Sequence, residues 1–255
     1  MIFYFSATGN TKKLALTIAE RTQDTAINME EALKTEAFEY SLRNDERLGF
    51  CFPVYFGNVP KIVTDFVQRV TIKTAEQGYY CFVAVTSGGI SAHAPQIMIQ
   101  TLLKHGLTTN AAFELVTIDT FLPMFTIPTG EERQRIEAET ALKTQMMAEQ
   151  IADKNCGSFY KKGNFTRVST CGMAPLYRLM RKTKYFKVSN DCNACGLCAK
   201  NCPTQAISIQ DEPQKPVWKK PECMLCMRCV HQCPKTAIDY GIMTVGKTRY
   251  HVASP

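Results

Sequence analysis

The sequence predicts an α/β protein in two parts: a doubly wound parallel sheet, followed by a small α+β domain organised around cysteine. Three observations carry this. Short β-rich runs alternate with amphipathic helical windows over the first 152 residues, the pattern of a parallel sheet covered on both faces. Periodicity then weakens from about 153 to 190, where basic residues accumulate. Finally, the motif C-x2-C-x2-C-x3-C-P occurs twice, beginning at Cys192 and again at Cys223.

Five strands are expected, at 2–5 (IFYF), 25–28 (TAIN), 47–54 (RLGFCFPV), 79–86 (YYCFVAVT) and 112–119 (AFELVTID). Between several of them the apolar residues recur at helical spacing. Leu14, Ala15, Ile18 and Ala19 share one face, as do Ile62, Phe66 and Val70. A longer helix over 131–152 opens with Glu131 and Glu132, which complement the positive end of a helix dipole, and carries Ile136, Met147 and Ile151 further along. Cys51 and Cys81 fall inside apolar strand runs and are expected to pack in the core. The first domain should therefore span 1–155. A basic linker over 156–184 follows, with a short possible helix at 175–186, and its charge reads as a solvated face or as a docking surface for an acidic partner. Cys156 and Cys171 have no ligand spacing. The second domain is expected at 185–245, with a tail over 246–255.

The second domain contains an internal repeat. "CNACGLCAKNCPTQAI" (192–207) and "CMLCMRCVHQCPKTAI" (223–238) superimpose with all four cysteines, the proline, an alanine and an isoleucine in register. Three thiolates two residues apart can wrap one iron–sulfur cubane, and the proline turns the chain away after the fourth. Paired CxxC units also bind structural zinc, but zinc sites rarely repeat this uniform spacing twice. The stretch from about 185 to 245 resembles a bacterial-type ferredoxin with two [4Fe–4S] clusters. That resemblance implies a crossed ligand set: Cys192, Cys195, Cys198 and Cys233 on one cluster, and Cys223, Cys226, Cys229 and Cys202 on the other. Ile207, Ile238, Met224, Leu225 and Met227 are expected to form the apolar shell, and His231 to face solvent.

At the other end of the chain, Ser6, Ala7, Thr8, Gly9, Asn10 and Thr11 lie between a strand and a helix, where free N–H groups and the helix dipole favour an anion. Neither GxxxxGK[ST] nor GxGxxG is present in the chain, so this is neither a Walker loop nor a dinucleotide fingerprint. Hydroxyls on Ser6, Thr8 and Thr11 offer another way to bind a phosphate monoester, although a plain helix cap would look similar. The string resembles the flavodoxin phosphate loop, [ST]-x-T-G-x-T. A flavodoxin-like sheet binds FMN at the carboxyl ends of its first and third strands, with the fourth adjacent. The loops there are "SATGNT", "PVYFGNVP" (Pro53, Val54, Tyr55, Phe56, Gly57, Asn58 and on) and "TSGGIS" (Thr86, Ser87, Gly88, Gly89 and on). Tyr55 and Phe56 could stack on the isoalloxazine ring, and Gly88 and Gly89 allow close backbone approach. The third loop lacks the second aromatic and the acidic residues usual in that family. One flavin face is thus open or covered by "TFLPMFTIP" (120–128).

The whole arrangement resembles flavodoxin–ferredoxin fusion proteins. This implies an electron-transfer flavo-iron-sulfur protein with FMN and two [4Fe–4S] clusters, two one-electron centres matching one two-electron flavin. The alternative is an FMN-dependent reductase of a small acceptor, a quinone or nitro compound, fed through the clusters. A purely structural role for the clusters leaves the flavin loops unexplained. With no nicotinamide motif, the expected partner is a redox protein, a ferredoxin or an oxidoreductase. The formal charge of +7 does not argue for nucleic acid, because clusters and phosphate are anionic and bring the loaded chain toward neutrality. "MIFYF" lacks the basic stretch of a secretory signal, no apolar run approaches the ~18 residues of a membrane span, and twelve cysteines then favour metal over disulfides. A cytoplasmic location is expected.

Overall fold

A computed structural model of the chain describes residues 1–74, 78–89, 91–161, 175–212 and 214–251. The first half runs β1 (Ile2–Tyr4), α1 (Asn10–Thr22), β2 (Ala26–Asn28), α2 (Met29–Thr35), β3 (Glu39–Ser41), β4 (Arg47–Pro53), α3 (Lys61–Val67) and β5 (Thr71–Lys73). It continues through β6 (Tyr80–Ser87), α4 (Ala94–Lys104), β7 (Ala111–Val116), α5 (Gly130–Ala152) and β8 (Gly157–Phe159). A six-stranded sheet of order β2-β1-β4-β6-β7-β8 is parallel throughout. Counted within the sheet, the order reverses between its first and third strands, which opens a crevice at their carboxyl ends.

Side-chain alternation along the strands explains the two covering layers. Phe3, Phe50, Phe52, Val83 and Val85 point to one face, where they pack with Met29 of α2, Phe66 of α3 and Met98 of α4. Ile2, Tyr4, Cys51, Phe82, Ala84 and Phe113 point to the other, against Leu14 and Ile18 of α1 and Met147 and Ile151 of α5. Leu14, Ala15, Ile18, Ala19, Ile62, Phe66, Met147 and Ile151 are buried as expected, Val70 and Ile136 are half-buried, and Cys51 and Cys81 are fully buried as expected. Burial pushes the Cys81 thiol up to about 12, so it is an inert core group.

The sheet has one more strand than the five expected. β8 pairs with β7 at the edge, inside the stretch expected to link the domains, and stacks Phe159 on Phe113 with ring centroids 4.8 Å apart. Its three residues, Gly-Ser-Phe, carry no alternation. The same holds for β3 and β5, which form a separate two-stranded parallel ladder. Such short polar strands depend on their neighbours for definition.

The C-terminal part comprises helix α6 (175–180), β9 (Phe186–Val188), α7 (Leu197–Lys200), β10 (Ile207–Gln210), β11 (Lys215–Trp218), α8 (Arg228–His231) and β12 (Ile238–Tyr240). β9 pairs antiparallel with β12, and β10 with β11. The sequence repeat is also a backbone repeat. Ala194, Gly196 and Gln205 have left-handed φ angles of 58°, 73° and 50°, and their counterparts Leu225, Met227 and Thr236 have 57°, 57° and 47°. One apolar cluster joins the two parts, with Ile118, Leu122 and Ile127 on one side and Phe186, Leu225, Met227, Val230 and Tyr240 on the other. The expected tail reaches into it, since Tyr250 is buried there. Among the described residues, no helix is long and apolar enough to cross a membrane.

Gly49 of β4 lies opposite Phe82 of β6, and a methyl group on it would stand 2.3 Å from the Phe82 ring. Gly49→Ala is therefore expected to cost about 1–3 kcal/mol of stability, as overpacked cores do. Urea unfolding checks this, and Phe82→Leu in the same chain should recover most of the loss.

Candidate flavin cleft and cysteine cavities

The crevice at the sheet's switch point is a cleft of about 610 Å³. Of the sixteen loop residues expected there, fourteen line it: Ser6, Ala7, Thr8, Asn10, Thr11, Pro53 to Gly57, and Thr86 to Gly89. Gly9 and Asn58 stand behind the wall. Gly9 precedes the first residue of α1 with φ 110°, a left-handed conformation that suits glycine. Asn58 closes a tight turn, exchanging backbone hydrogen bonds of 3.1 and 3.0 Å with Tyr55 and donating through Nδ2 to the Phe56 carbonyl.

The hydroxyls of the first loop also make contacts within the fold. Ser6 Oγ accepts from Gly9 N at 3.1 Å, and Thr11, buried, shares a 2.7 Å hydrogen bond with Thr86. Thr8 Oγ1 lies 3.4 Å from Thr120 Oγ1. Beside its hydroxyls, the loop offers an anion its backbone. No side chain caps the start of α1, and the amides of a first helical turn lack intrahelical acceptors. Asn10 is tied from behind, donating to Thr117 Oγ1 and accepting from the Tyr250 hydroxyl at 2.6 Å.

Tyr55 and Phe56 part company. Phe56 packs edge-on against Phe121 and tilted against Tyr177 of α6, with centroids 5.1 and 4.8 Å away. The Tyr55 hydroxyl is buried without a hydrogen-bond partner, and burial raises its pKa well above the ordinary value. The 120–128 loop does reach the cleft, through Phe121, Met124 and Phe125. Acidity comes from an unexpected quarter: Asp119, just past β7, lines the cleft. Burial raises its carboxyl pKa, and Oδ1 accepts from Phe121 N at 2.8 Å. Leu225, Cys226 and Met227 of the second cysteine motif complete one wall. Sequence reasoning had no local signal for that wall, because it lies about 170 residues beyond the Tyr55 loop.

Two small cavities gather the eight cysteines. One is lined by Cys202, Cys223, Cys226 and Cys229, the other by Cys192, Cys195, Cys198 and Cys233. Backbone amides already point at the sulfurs in matching places. Ala206 N donates to Cys202 Sγ at 3.2 Å, and Ala237 N to Cys233 Sγ at 3.3 Å. Burial pushes Cys223 up to about 12 and Cys198 to about 11, so bare thiols here would hold their protons, and thiolates need metal cations to offset desolvation. Among the described residues, no three His, Cys, Asp or Glu side chains form a site for a single metal ion. Met224, Met227 and Ile207 are buried in the lining of the first cavity and Ile238 in that of the second, whereas Leu225 is buried in the wall of the cleft instead.

His231 does not face solvent. It is fully buried, and Nδ1 accepts from Tyr250 N at 3.0 Å, so Nε2 carries the hydrogen and donates to Thr120 O at 2.8 Å. Burial lowers its pKa to about 4, which keeps the ring neutral. Its neighbour Arg228 donates to the carbonyls of Ser6 and Ala7 in the first loop. Of the basic linker residues, Lys162 and Arg167, together with Cys171, lie outside the described residues. Arg181 donates to the Cys223 carbonyl, and Tyr177 to that of Met224.

Residues 1–127 match the flavodoxin domain family, and residues 191–240 match the 4Fe-4S dicluster domain family. Similar solved structures include rubredoxin oxygen:oxidoreductase from the anaerobe Desulfovibrio gigas, 13% identical with a TM-score of 0.34, over 59% of this chain and 36% of that one. The chain thus spans about a third of that protein's length. Another is a short-chain flavodoxin associated with a PDU bacterial microcompartment, 19% identical with a TM-score of 0.33, over 56% of this chain and 96% of its own. No curated protein matches the chain.

The two glycines of the third loop differ in a measurable way. A methyl group on Gly88 would fall 2.2 Å from Asp119 Oδ2, whereas one on Gly89 meets nothing within 4 Å. Gly88→Ala should lower stability by about 1–3 kcal/mol, and Gly89→Ala should stay within about 0.5 kcal/mol of wild type. Parallel thermal melts compare them.

Proposed function

Given that the chain is a flavodoxin–ferredoxin fusion with an electron-transfer role, we propose that it passes electrons between FMN and two [4Fe–4S] clusters within one chain. The observation that carries this is the shared wall. Leu225, Cys226 and Met227 belong to a cysteine motif and line the cleft formed by the three flavin loops. Electron transfer falls steeply with distance, so a ligand cysteine at the cleft wall supports direct exchange.

The residues suit FMN. The uncapped start of α1 and the Ser6–Thr11 loop would hold the phosphate, while Tyr55, Phe56 and Phe121 supply aromatic surface for the ring. Gly88 leaves room for Asp119, which is placed to meet a polar edge. Cys202, Cys223, Cys226 and Cys229 would hold the nearer cluster, and Cys192, Cys195, Cys198 and Cys233 the farther one. When bound, the flavin supplies a two-electron centre and each cluster a one-electron centre. The apolar cleft and the buried Met224 and Met227 exclude water from the space between them.

One observation favours the second reading, an FMN-dependent reductase of a small acceptor. Met124, Phe125 and Leu176 line the cleft yet stay substantially exposed, at 58%, 45% and 41%, so its mouth is open and apolar. Anaerobic turnover with a panel of quinones and nitro compounds decides between the readings.

Acid release of the flavin should yield FMN; FAD as the main species would overturn the cofactor assignment. Cys202→Ser is expected to damage the cluster held by Cys223, Cys226 and Cys229, although it lies in the first motif. Electron paramagnetic resonance of the reduced variant should show the other cluster's signal alone. Stopped-flow reduction of the wild type should show flavin bleaching at a rate independent of protein concentration, as exchange within one chain requires.

A further inference from the structure

We infer that Arg228 couples the nearer cluster to the flavin phosphate: it is a positioning residue through which that cluster orders the phosphate loop. This inference rests on the FMN and two-cluster reading above. Arg228 follows two residues after Cys226, precedes Cys229 directly and lines the cysteine cavity, yet its guanidinium reaches across to the sheet domain. Nε donates to Ala7 O at 3.1 Å and Nη2 to Ser6 O at 2.7 Å. Nη1 donates to Glu30 Oε2 and to Asn201 O, each at 2.7 Å. Asn201 is the residue before Cys202. One guanidinium thus joins both backbone stretches that carry the nearer cluster's four cysteines to the loop that faces the phosphate.

The direction of those bonds matters. In a planar trans peptide the C=O and the following N–H point opposite ways. Holding the carbonyls of Ser6 and Ala7 toward Arg228 turns the N–H groups of Ala7 and Thr8 away from it, and both residues line the cleft. The guanidinium also polarises these peptides so that their N–H ends favour an anion. The phosphate loop contains no Lys or Arg of its own, and this cation reaches it from the other domain. Glu30, itself bonded to Lys34 at 3.0 Å, fixes the fork from the far side. A cluster pinning Cys202 to Cys226 and Cys229 fixes the two stretches that aim Arg228. Without it, they are joined by the guanidinium, by the 3.0 Å hydrogen bond from Asn201 Nδ2 to Gln232 Oε1 and by apolar contacts. Coupling of this kind is reciprocal, so phosphate binding in turn favours cluster retention.

The test compares FMN with riboflavin, which has the ring but lacks the phosphate, by fluorescence titration of flavin-depleted full-length protein with its clusters loaded. The ratio of the two dissociation constants isolates the phosphate. In Arg228→Met that ratio should fall at least about tenfold, the worth of one or two charge-assisted hydrogen bonds, with riboflavin affinity nearly unchanged. Cys223→Ser, which keeps Arg228 but loses the nearer cluster, should lower the ratio similarly, and the double variant should lose no more than either single one. Arg228→Lys keeps the charge without the fork and should fall between, and it reads the same ratio should Arg228→Met not fold. The signal of the Cys192 cluster reports folding throughout. An unchanged ratio in Arg228→Met or in Cys223→Ser overturns the inference. A wild-type protein that does not prefer FMN to riboflavin overturns the cofactor reading instead.

Discussion

The sheet domain and the cysteine-bearing part are joined above all by polar bonds from one four-residue helix, with Lys247 donating to Leu122 O and Phe125 O beside it. α8 begins with Arg228 and ends with His231, and both side chains leave the ferredoxin-like part to meet backbone carbonyls of the sheet domain. Arg228 takes those of Ser6 and Ala7, after β1; His231 takes that of Thr120, after β7. These carbonyls stand at the carboxyl edge of the sheet, where strands have ended and no ladder partner is available. Buried carbonyls of this kind need donors from somewhere. The second domain supplies them, and so the cleft forms with a cysteine motif in its wall.

A buried guanidinium is costly to desolvate, and only a fully satisfied set of partners offsets this. Arg228 uses four of its five N–H groups, three on carbonyl oxygens and one on the Glu30 carboxylate. His231 achieves satisfaction in another way. It is neutral, with one ring nitrogen accepting from Tyr250 and the other donating to Thr120. Tyr250 then carries the connection onward through its hydroxyl to Asn10 at the start of α1. The last described residues are thereby part of the cleft's support. Around this polar set, Ile118, Leu122, Leu225, Met227 and Val230 share one apolar cluster, which contributes the nonspecific share of the interface energy.

The contrast among cysteines shows how position decides chemistry. Cys51 and Cys81 are as buried as any residue in the sheet and sit among apolar side chains, where desolvation holds them as thiols. The eight motif cysteines lie in cavities of four, several with N–H groups directed at sulfur. Met224 and Cys226 also pack against the sheet domain's core, so the nearer cysteine cavity adjoins that domain directly.

Local signals were enough for five strands of the sheet, most of the helical faces and the cysteine repeat, because each is written in residue spacing over a few turns or strands. The three loops that line the cleft were legible too, since each follows directly from a strand. Strand β8, the β3–β5 ladder and the burial of His231 were not, since short polar segments take their structure from what they contact. Nor could the first loop's lack of a cation be resolved locally. Composition and spacing by themselves pointed to a parallel sheet with a polar loop after its first strand and to eight cysteines in two motifs of identical spacing. Only the tertiary structure decided that the second set forms the crevice wall and that Arg228 stands behind the phosphate loop. Contacts between residues some 220 positions apart leave no periodicity in a sequence; they arise when unsatisfied carbonyls and buried donors find each other in the folded chain.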